Sequence, residues 1–331
     1  MFTTGKPANS QILIIRLGAM GDIIHTLPAV ASLKQSFPQA HLTWLVERRW
    51  QPLLEDNPSI DEVAHLERDS IGALFRTWRF LRARKWDAAI DFQGLLKSAV
   101  VASAAHPERI YGFHHSQVRE RAAAVFYSNK LLSTAVHVVD RNLELAVAAG
   151  ASATVRTFAL PKGLAEGDLP SGDFVLASPL AGWGSKQWPM EHFRVLAELL
   201  AREFRLPLVL NLPAEQRCRA ADLEPCLTHF SGLAGLIHAT RRAAAVVGVD
   251  SGPLHLAAAL GKPGVAIFGP TDPARNGPYG GSLAILRSPQ ATTTYKRGAA
   301  IDRSMSDISP SQVFEALRSV CSSLGSATPI R

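Results

Sequence analysis

Short aliphatic runs alternate with longer stretches of helical spacing along most of the chain, and this alternation limits the fold more than any other feature. Gln11–Arg16 (QILIIR), Leu42–Glu47 (LTWLVE), Asp87–Phe92 (DAAIDF) and Arg109–Phe113 have the length and composition of strands. Ile23–Phe37, Ile71–Arg84 and Leu95–Ala104, which lie between them, have the spacing of helices. Strands separated by helices build a parallel sheet covered on both faces, because a parallel connection needs a crossover. After a further helical stretch, Asp140–Ala149, comes the turn-rich Asp168–Asp173, which places a linker near residues 160–172. The pattern then restarts with strands Phe174–Ser178, Leu206–Asn211, Ala244–Val249 and Gly264–Phe268. The expected fold class is α/β, with two Rossmann-like domains whose parallel sheets face a cleft. Their expected bounds are 1–165 and 166–309, and a helix in 310–331 is expected to pack back toward the first domain.

A chain of 331 residues, 47% apolar and 19% charged, has enough apolar side chain for two cores and too little charge for disorder. Cys218, Cys226 and Cys321 form an odd, sparse set without metal-ligand spacing, which argues against a disulfide framework or a metal site. Met1–Asn9 holds no apolar signal core, and no apolar run reaches the roughly 18 residues a bilayer span needs. A cytoplasmic location is therefore expected. The net charge of +7 is spread over both halves, without the basic tail of a nucleic-acid binder. Such a body is attracted to anionic membrane surfaces and phosphorylated substrates.

The first strand runs into Arg16-Leu17-Gly18-Ala19-Met20-Gly21-Asp22 and then an apolar helix. Two glycines permit a tight turn and close approach of a ligand to the backbone. The Gly18-x-x-Gly21 spacing is not the dinucleotide fingerprint, which disfavours a nicotinamide enzyme. Asp22 has two readings, a helix N-cap or a general base at the ligand-binding edge of the sheet. His25, one turn on, is either a substrate contact or a buried helix histidine.

In the second half, strand Ala244–Val249 ends in Asp250-Ser251-Gly252-Pro253-Leu254-His255, with Pro253 suited to a first helical turn and Gly261 to a helix stop. A helix N-terminus at the carboxyl end of a buried strand is an anion site. Ser251 and Gly252 are small enough to admit a diphosphate, and His255 lies one turn in; Asp250 is either a cap or part of the site. Ala181-Gly182-Trp183-Gly184-Ser185-Lys186 has the glycines, hydroxyl and lysine of a phosphate grip, where Lys186 would offset charge on a leaving diphosphate. The alternative for Lys186 is a solvated surface lysine. Trp188-Pro189 reads as structural. Glu215, after strand Leu206–Asn211, is either a ribose ligand or a first-turn helix glutamate. The rigid loop Phe268–Pro273 lines a pocket or is merely a turn.

Taken together, Gly21–Ala29 (GDIIHTLPA), Asp91–Ser98 (DFQGLLKS), Gly182–Pro189 (GWGSKQWP), Val249–Leu256 (VDSGPLHL) and Phe268–Pro273 (FGPTDP) resemble glycosyltransferase family 9, the heptosyltransferases of lipopolysaccharide inner-core assembly. Val139-Asp140-Arg141-Asn142-Leu143 is similar to the heptosyltransferase I branch. The resemblance implies a GT-B architecture, no cofactor, no metal and no nucleic-acid partner. It implies an ADP-heptose donor and a Kdo-lipid A acceptor, met at the cytoplasmic face of the inner membrane. It puts the catalytic aspartate at Asp22 and the phosphate-contacting lysine at Lys186. Donor contacts fall on Ser185, Glu215, Asp250, Ser251, Gly252 and His255. Acceptor contacts fall on Gly21, His25, Gln93, Lys97, Arg119 and Arg121. Leu212 stands where a glycine is common in the family, and Ala181–Gly184 lacks the hydroxyl pair of some heptosyltransferase I members, so either backbone amides substitute or the phosphate register differs. Arg76, Arg79, Arg82, Arg84 and Lys85 are either acceptor or membrane contacts or a solvated helix face. The implied reaction is an inverting transfer; a family member using a heptose acceptor or another sugar, a GT-B nucleotide-sugar epimerase, or a protein that binds a nucleotide sugar without transferring it, would be the competing readings.

Overall fold

The apolar run after Ser10 forms β1 (Gln11–Ile15), buried at every position but the first. It leads the first of two units into which a computed structural model divides, Met1–Pro161 and Lys162–Arg331. The structure describes residues 10–67, 69–294 and 296–324; the polar stretch Met1–Asn9 and the end of the expected C-terminal helix, 325–331, lie outside these. In the first unit β1 is followed by α1 (Met20–Ser36), β2 (His41–Val46), β3 (Glu62–His65), α2 (Ile71–Arg82), β4 (Ala88–Asp91), α3 (Leu96–Ala104), β5 (Arg109–Phe113), β6 (Asn129–Leu131) and α4 (Val138–Ala148). The strands form one parallel sheet in the order β3-β2-β1-β4-β5-β6.

The second unit contains β7 (Val175–Ser178), α5 (Met190–Phe204), β8 (Leu208–Leu212), β9 (Leu227–Phe230), α6 (Leu233–Arg242), β10 (Ala245–Val249) and α7 (Gly252–Ala259). It continues with β11 (Gly264–Phe268), the one-turn α8 (Pro273–Asn276), β12 (Leu283–Arg287), the one-turn α9 (Arg303–Ser306) and α10 (Pro310–Leu324). Its sheet, β12-β11-β10-β7-β8-β9, is also parallel and repeats the order of the first. Each order reverses direction beside its founding strand, β1 or β7. The crevice at the carboxyl ends of the strands there is where doubly wound sheets bind ligands.

The eight strands legible in the sequence are the inner four of each sheet. The four missed, β3, β6, β9 and β12, are the four edges. Inner strands are buried on both faces and read as continuous apolar runs. The edges are short or mixed; β6 is only Asn129-Lys130-Leu131, without a fully buried residue.

Helix α1 is buried on almost every side and packs along α4. Asn142 of α4 ties the two by donating from its side chain to the His25 carbonyl at 3.0 Å and to Thr26 Oγ1 at 3.3 Å. Helix α10 places its apolar residues Val313, Phe314 and Leu317 in the second unit's core with Trp188, Phe193 and Leu200. Phe314 stacks on Phe204 of α5, with ring centres 5.0 Å apart. The division after Pro161 falls a few residues before the expected boundary at 165.

Candidate active site

In the first unit the candidate residues gather where β2, β1 and β4 end side by side. Helix α1 begins three residues earlier than expected, at Met20, so Asp22 stands in the first turn and Ala19 takes the N-cap position. Asp22 Oδ2 accepts from the Ala19 amide at 3.4 Å, near the limit of a hydrogen bond, which leaves this oxygen weakly engaged. Its other oxygen is held by Arg16 at 2.7 Å; the Asp22 side chain is 43% exposed and that of Arg16 only 7%. A buried guanidinium thus presents a half-exposed carboxylate. Arg16 is fixed in turn by donating Nη1 to the Phe92 carbonyl, and its own carbonyl accepts from Trp44 Nε1 at 3.1 Å. Sequence reasoning did not single out Arg16. The signal was there, a lone charge closing the QILIIR run after four aliphatic residues.

Gln93 braces the glycine turn: its side-chain oxygen accepts from the amides of Leu17 at 3.0 Å and Gly18 at 3.4 Å. A Cβ on Gly18 would come within 2.7 Å of Trp50 Nε1, so the turn needs glycine there for space. Gly21 is buried in the first turn of α1. Lys97 is exposed at the start of α3 and lies 3.7 Å from Glu47, whose amide donates to the Leu17 carbonyl. Arg119 and Arg121 are exposed, on a segment tied to the same loop by Glu120, which accepts from the Leu96 amide at 2.7 Å. Below the loop, Asp91 is fully buried and accepts from Tyr127 at 2.6 Å, from Ser98 at 2.8 Å and from the amides of Gln93 and Gly94. Burial pushes its carboxyl above the ordinary value against the pull of these donors. His25 is not brought to this surface: it is buried on α1 and faces the ring of His137 at 5.8 Å, which is the packing reading of that residue.

The second unit gathers its candidates where β10, β7 and β8 end side by side. Asp250 is not a cap, because Ser251 holds the N-cap position of α7. Instead Asp250 Oδ2 pairs with Lys186 Nζ at 2.6 Å and accepts from Thr271 Oγ1 at 2.7 Å. His255 Nε2 lies 3.6 Å from Oδ1, long for a hydrogen bond. Burial raises the Asp250 pKa, but the opposing contributions of His255 and Lys186 leave it well below the ordinary carboxylate value. The Lys186 ammonium sits over the Trp183 ring, 4.2 Å from its centre. An ammonium has three donors, so Asp250 aims Lys186 without saturating it.

Ser185 and Ser251 each bury a hydroxyl for which no partner exists among the described residues. Buried hydroxyls are costly without a partner, and a phosphate oxygen would supply one. The turn carrying Ser185 and Lys186 is locked against residues 298–302: the Ser185 amide donates to the Gly298 carbonyl at 3.1 Å, and a Cβ on Gly184 would meet the Ala299 carbonyl at 1.8 Å. Arg297, exposed and overlooked in the sequence, lies 5.8 Å from the Trp183 ring centre, so two cations flank one indole. Gly252 opens α7, and Gly261 is left-handed at φ 66° just past its end, as a helix stop requires. Glu215 is exposed in the turn after β8. The Phe268–Pro273 loop turns inward, burying Thr271 against Asp250, while Asp272 caps α8 by accepting from the Ala274 amide. Trp188 is structural as expected, donating from its buried indole to the Ile308 carbonyl at 2.8 Å.

Two parallel Rossmann-like units, one presenting a carboxylate and the other a lysine with unpartnered hydroxyls beside a helix N-terminus, define the class of GT-B sugar-nucleotide enzymes. Residues 74–302 match the model of glycosyltransferase family 9 (heptosyltransferase), and the chain belongs to that family of transferases. It is 30% identical to lipopolysaccharide heptosyltransferase 1 of Escherichia coli K12, over 90% of this chain and all of that one. It is 31% identical to lipopolysaccharide heptosyltransferase 1 of Pseudomonas aeruginosa over 84% of each. Among solved structures it is similar to the E. coli heptosyltransferase WaaC with ADP, with a TM-score of 0.77 and 26% identity over 94% of this chain and 99% of the other.

Proposed function

We propose that the chain transfers a heptose from ADP-L-glycero-D-manno-heptose to a Kdo residue of Kdo-lipid A, with inversion at the anomeric carbon, in lipopolysaccharide inner-core assembly. Relatives over most of the chain are lipopolysaccharide heptosyltransferases 1, and a solved neighbour holds ADP-2-deoxy-2-fluoro heptose. In this reading Asp22 Oδ2 takes the proton of an acceptor hydroxyl as that oxygen attacks the anomeric carbon. The bond to the diphosphate breaks on the opposite side of the sugar, and ADP leaves against Lys186, the Ser185 and Ser251 hydroxyls and the amides of Ser251 and Gly252. Glu215 receives the ribose hydroxyls. Lys97, Arg119 and Arg121 hold the acid groups of the acceptor, and Gly21 and Gln93 shape the turn against which it rests. The enzyme works in the cytoplasm, at the inner face of the inner membrane.

The observation that carries this reading is the half-exposed Asp22 carboxylate, aimed by a buried Arg16 at the ligand-binding edge of its sheet. The test is incubation of purified protein with ADP-heptose and Kdo-lipid A. Release of ADP together with a gain of one heptose mass and an inverted linkage is expected. ADP-heptose consumption without acceptor, or transfer only to an acceptor already carrying heptose, would overturn it.

A further inference from the structure

Helix α2 is inverted relative to an ordinary surface helix. The face turned to the protein carries Ala73, Thr77 and Leu81, all buried. Facing solvent are larger apolar residues at helical spacing: Ile71, Leu74, Phe75 and Trp78, with Phe75 58% and Trp78 48% exposed. The Phe75 and Trp78 rings stack on each other, 5.5 Å apart. A contiguous stripe of this kind marks an interaction surface, whereas scattered single exposures do not.

The charges beside the stripe narrow the partner. Arg79 and Arg82 are exposed on the same helix and have no acidic partner among the described residues. The nearby glutamates are engaged elsewhere, Glu67 by Arg48 at 2.6 Å and Arg76 at 2.8 Å, and Glu62 by Arg84. Asp69, exposed just before the helix, is the acid left at its far end. A contact between two copies through this stripe would offer their four Arg79 and Arg82 guanidiniums only the two Asp69 carboxylates. Anionic lipid offers the complement: headgroups for the guanidiniums and an acyl boundary for Trp78, Phe75 and Leu74. No helix among the described residues is long and apolar enough to cross a membrane.

We propose that the outward face of α2 is a docking surface that inserts Leu74, Phe75 and Trp78 into the interfacial layer of an anionic bilayer while Arg79 and Arg82 hold its headgroups. The inference sharpens the membrane-side part of the proposed function, and its test reads lipid binding, so that it stands or falls apart from transfer. Full-length protein is sedimented with phosphatidylcholine vesicles and with vesicles rich in phosphatidylglycerol. Binding to the second kind only, weakened by salt, is expected. The Leu74→Ser/Phe75→Ser/Trp78→Ser variant should lose binding at least tenfold while keeping transfer to a water-soluble, deacylated acceptor. Arg79→Gln with Arg82→Gln should weaken it by roughly fivefold per arginine, which keeps the test sound if the triple variant folds poorly. Wild-type binding by either variant, or a dimer that the triple variant dissolves, would overturn the proposal.

Discussion

The two units share a strand order yet hold their ion pairs with opposite polarity. In the first, a buried arginine presents a half-exposed carboxylate; in the second, a buried carboxylate presents a lysine. In each pair the buried member is the anchor, and it also takes other hydrogen bonds: Arg16 with the Phe92 carbonyl, Asp250 with Thr271. The difference between the units is therefore electrostatic and does not lie in topology. In the proposed function the same crevice beside the founding strand offers a proton acceptor in one case and an anion site in the other. On this view the chemistry of each unit depends on the more accessible member of its pair, and the rigidity of the site depends on the more buried one.

Replacing the members one at a time separates these roles. The largest effect after loss of Asp22 itself is expected from Lys186→Ala, roughly 10²- to 10³-fold in turnover, as for removal of a donor to a developing anion. Steady-state kinetics on the donor check it, and a change in KM alone would reassign Lys186 to ground-state binding. Asp250→Asn should come next. It leaves Lys186 unpaired in a buried setting, which costs on the order of 3–5 kcal/mol and is measured by denaturant unfolding. Because the folded-state pKa of Asp250 is depressed, its stabilisation is complete above the unfolded value of about 4 and is lost as pH falls through the lower folded value. The stability difference between wild type and Asp250→Asn should then be flat from neutral pH to about 5 and shrink only in stronger acid. A difference that already vanished near neutrality would contradict this assignment.

Arg16→Met should be milder. It frees Asp22 from its orienting partner, and a loss of about tenfold in turnover with little change in donor affinity is expected, below the roughly 10²-fold that a 1 Å misplacement can cost. The smallest effect belongs to Arg297→Gln, a few-fold rise in donor KM, since an exposed cation is screened by water. An effect as large as that of Lys186→Ala would make the second unit's site a two-cation site.

The sequence shows the parts of this arrangement more clearly than the pairs. The inner strands stand out as apolar runs, and the loops after them, GDIIHTLPA, GWGSKQWP and VDSGPLHL, are legible because glycines and small polar residues follow those runs directly. The edge strands are not legible, since a strand with one free side needs no apolar run. Nor are the ion pairs: Lys186 and Asp250 are 64 positions apart and meet only because β7 and β10 are neighbours in the sheet. For the same reason the sequence left Asp250 open between cap and site, and only the geometry shows it as the anchor of Lys186. Gln93 is a comparable case, singled out by its motif but found holding the Leu17 and Gly18 amides from an adjacent strand end.

The division of labour between the two pairs is tested most directly by calorimetric titration of ADP-heptose into Asp22→Asn and Lys186→Ala, with turnover assayed on the same samples. Wild-type donor affinity with abolished turnover in Asp22→Asn, beside weakened affinity in Lys186→Ala, is the predicted outcome. Donor affinity lost in Asp22→Asn, or turnover retained there, would contradict the account.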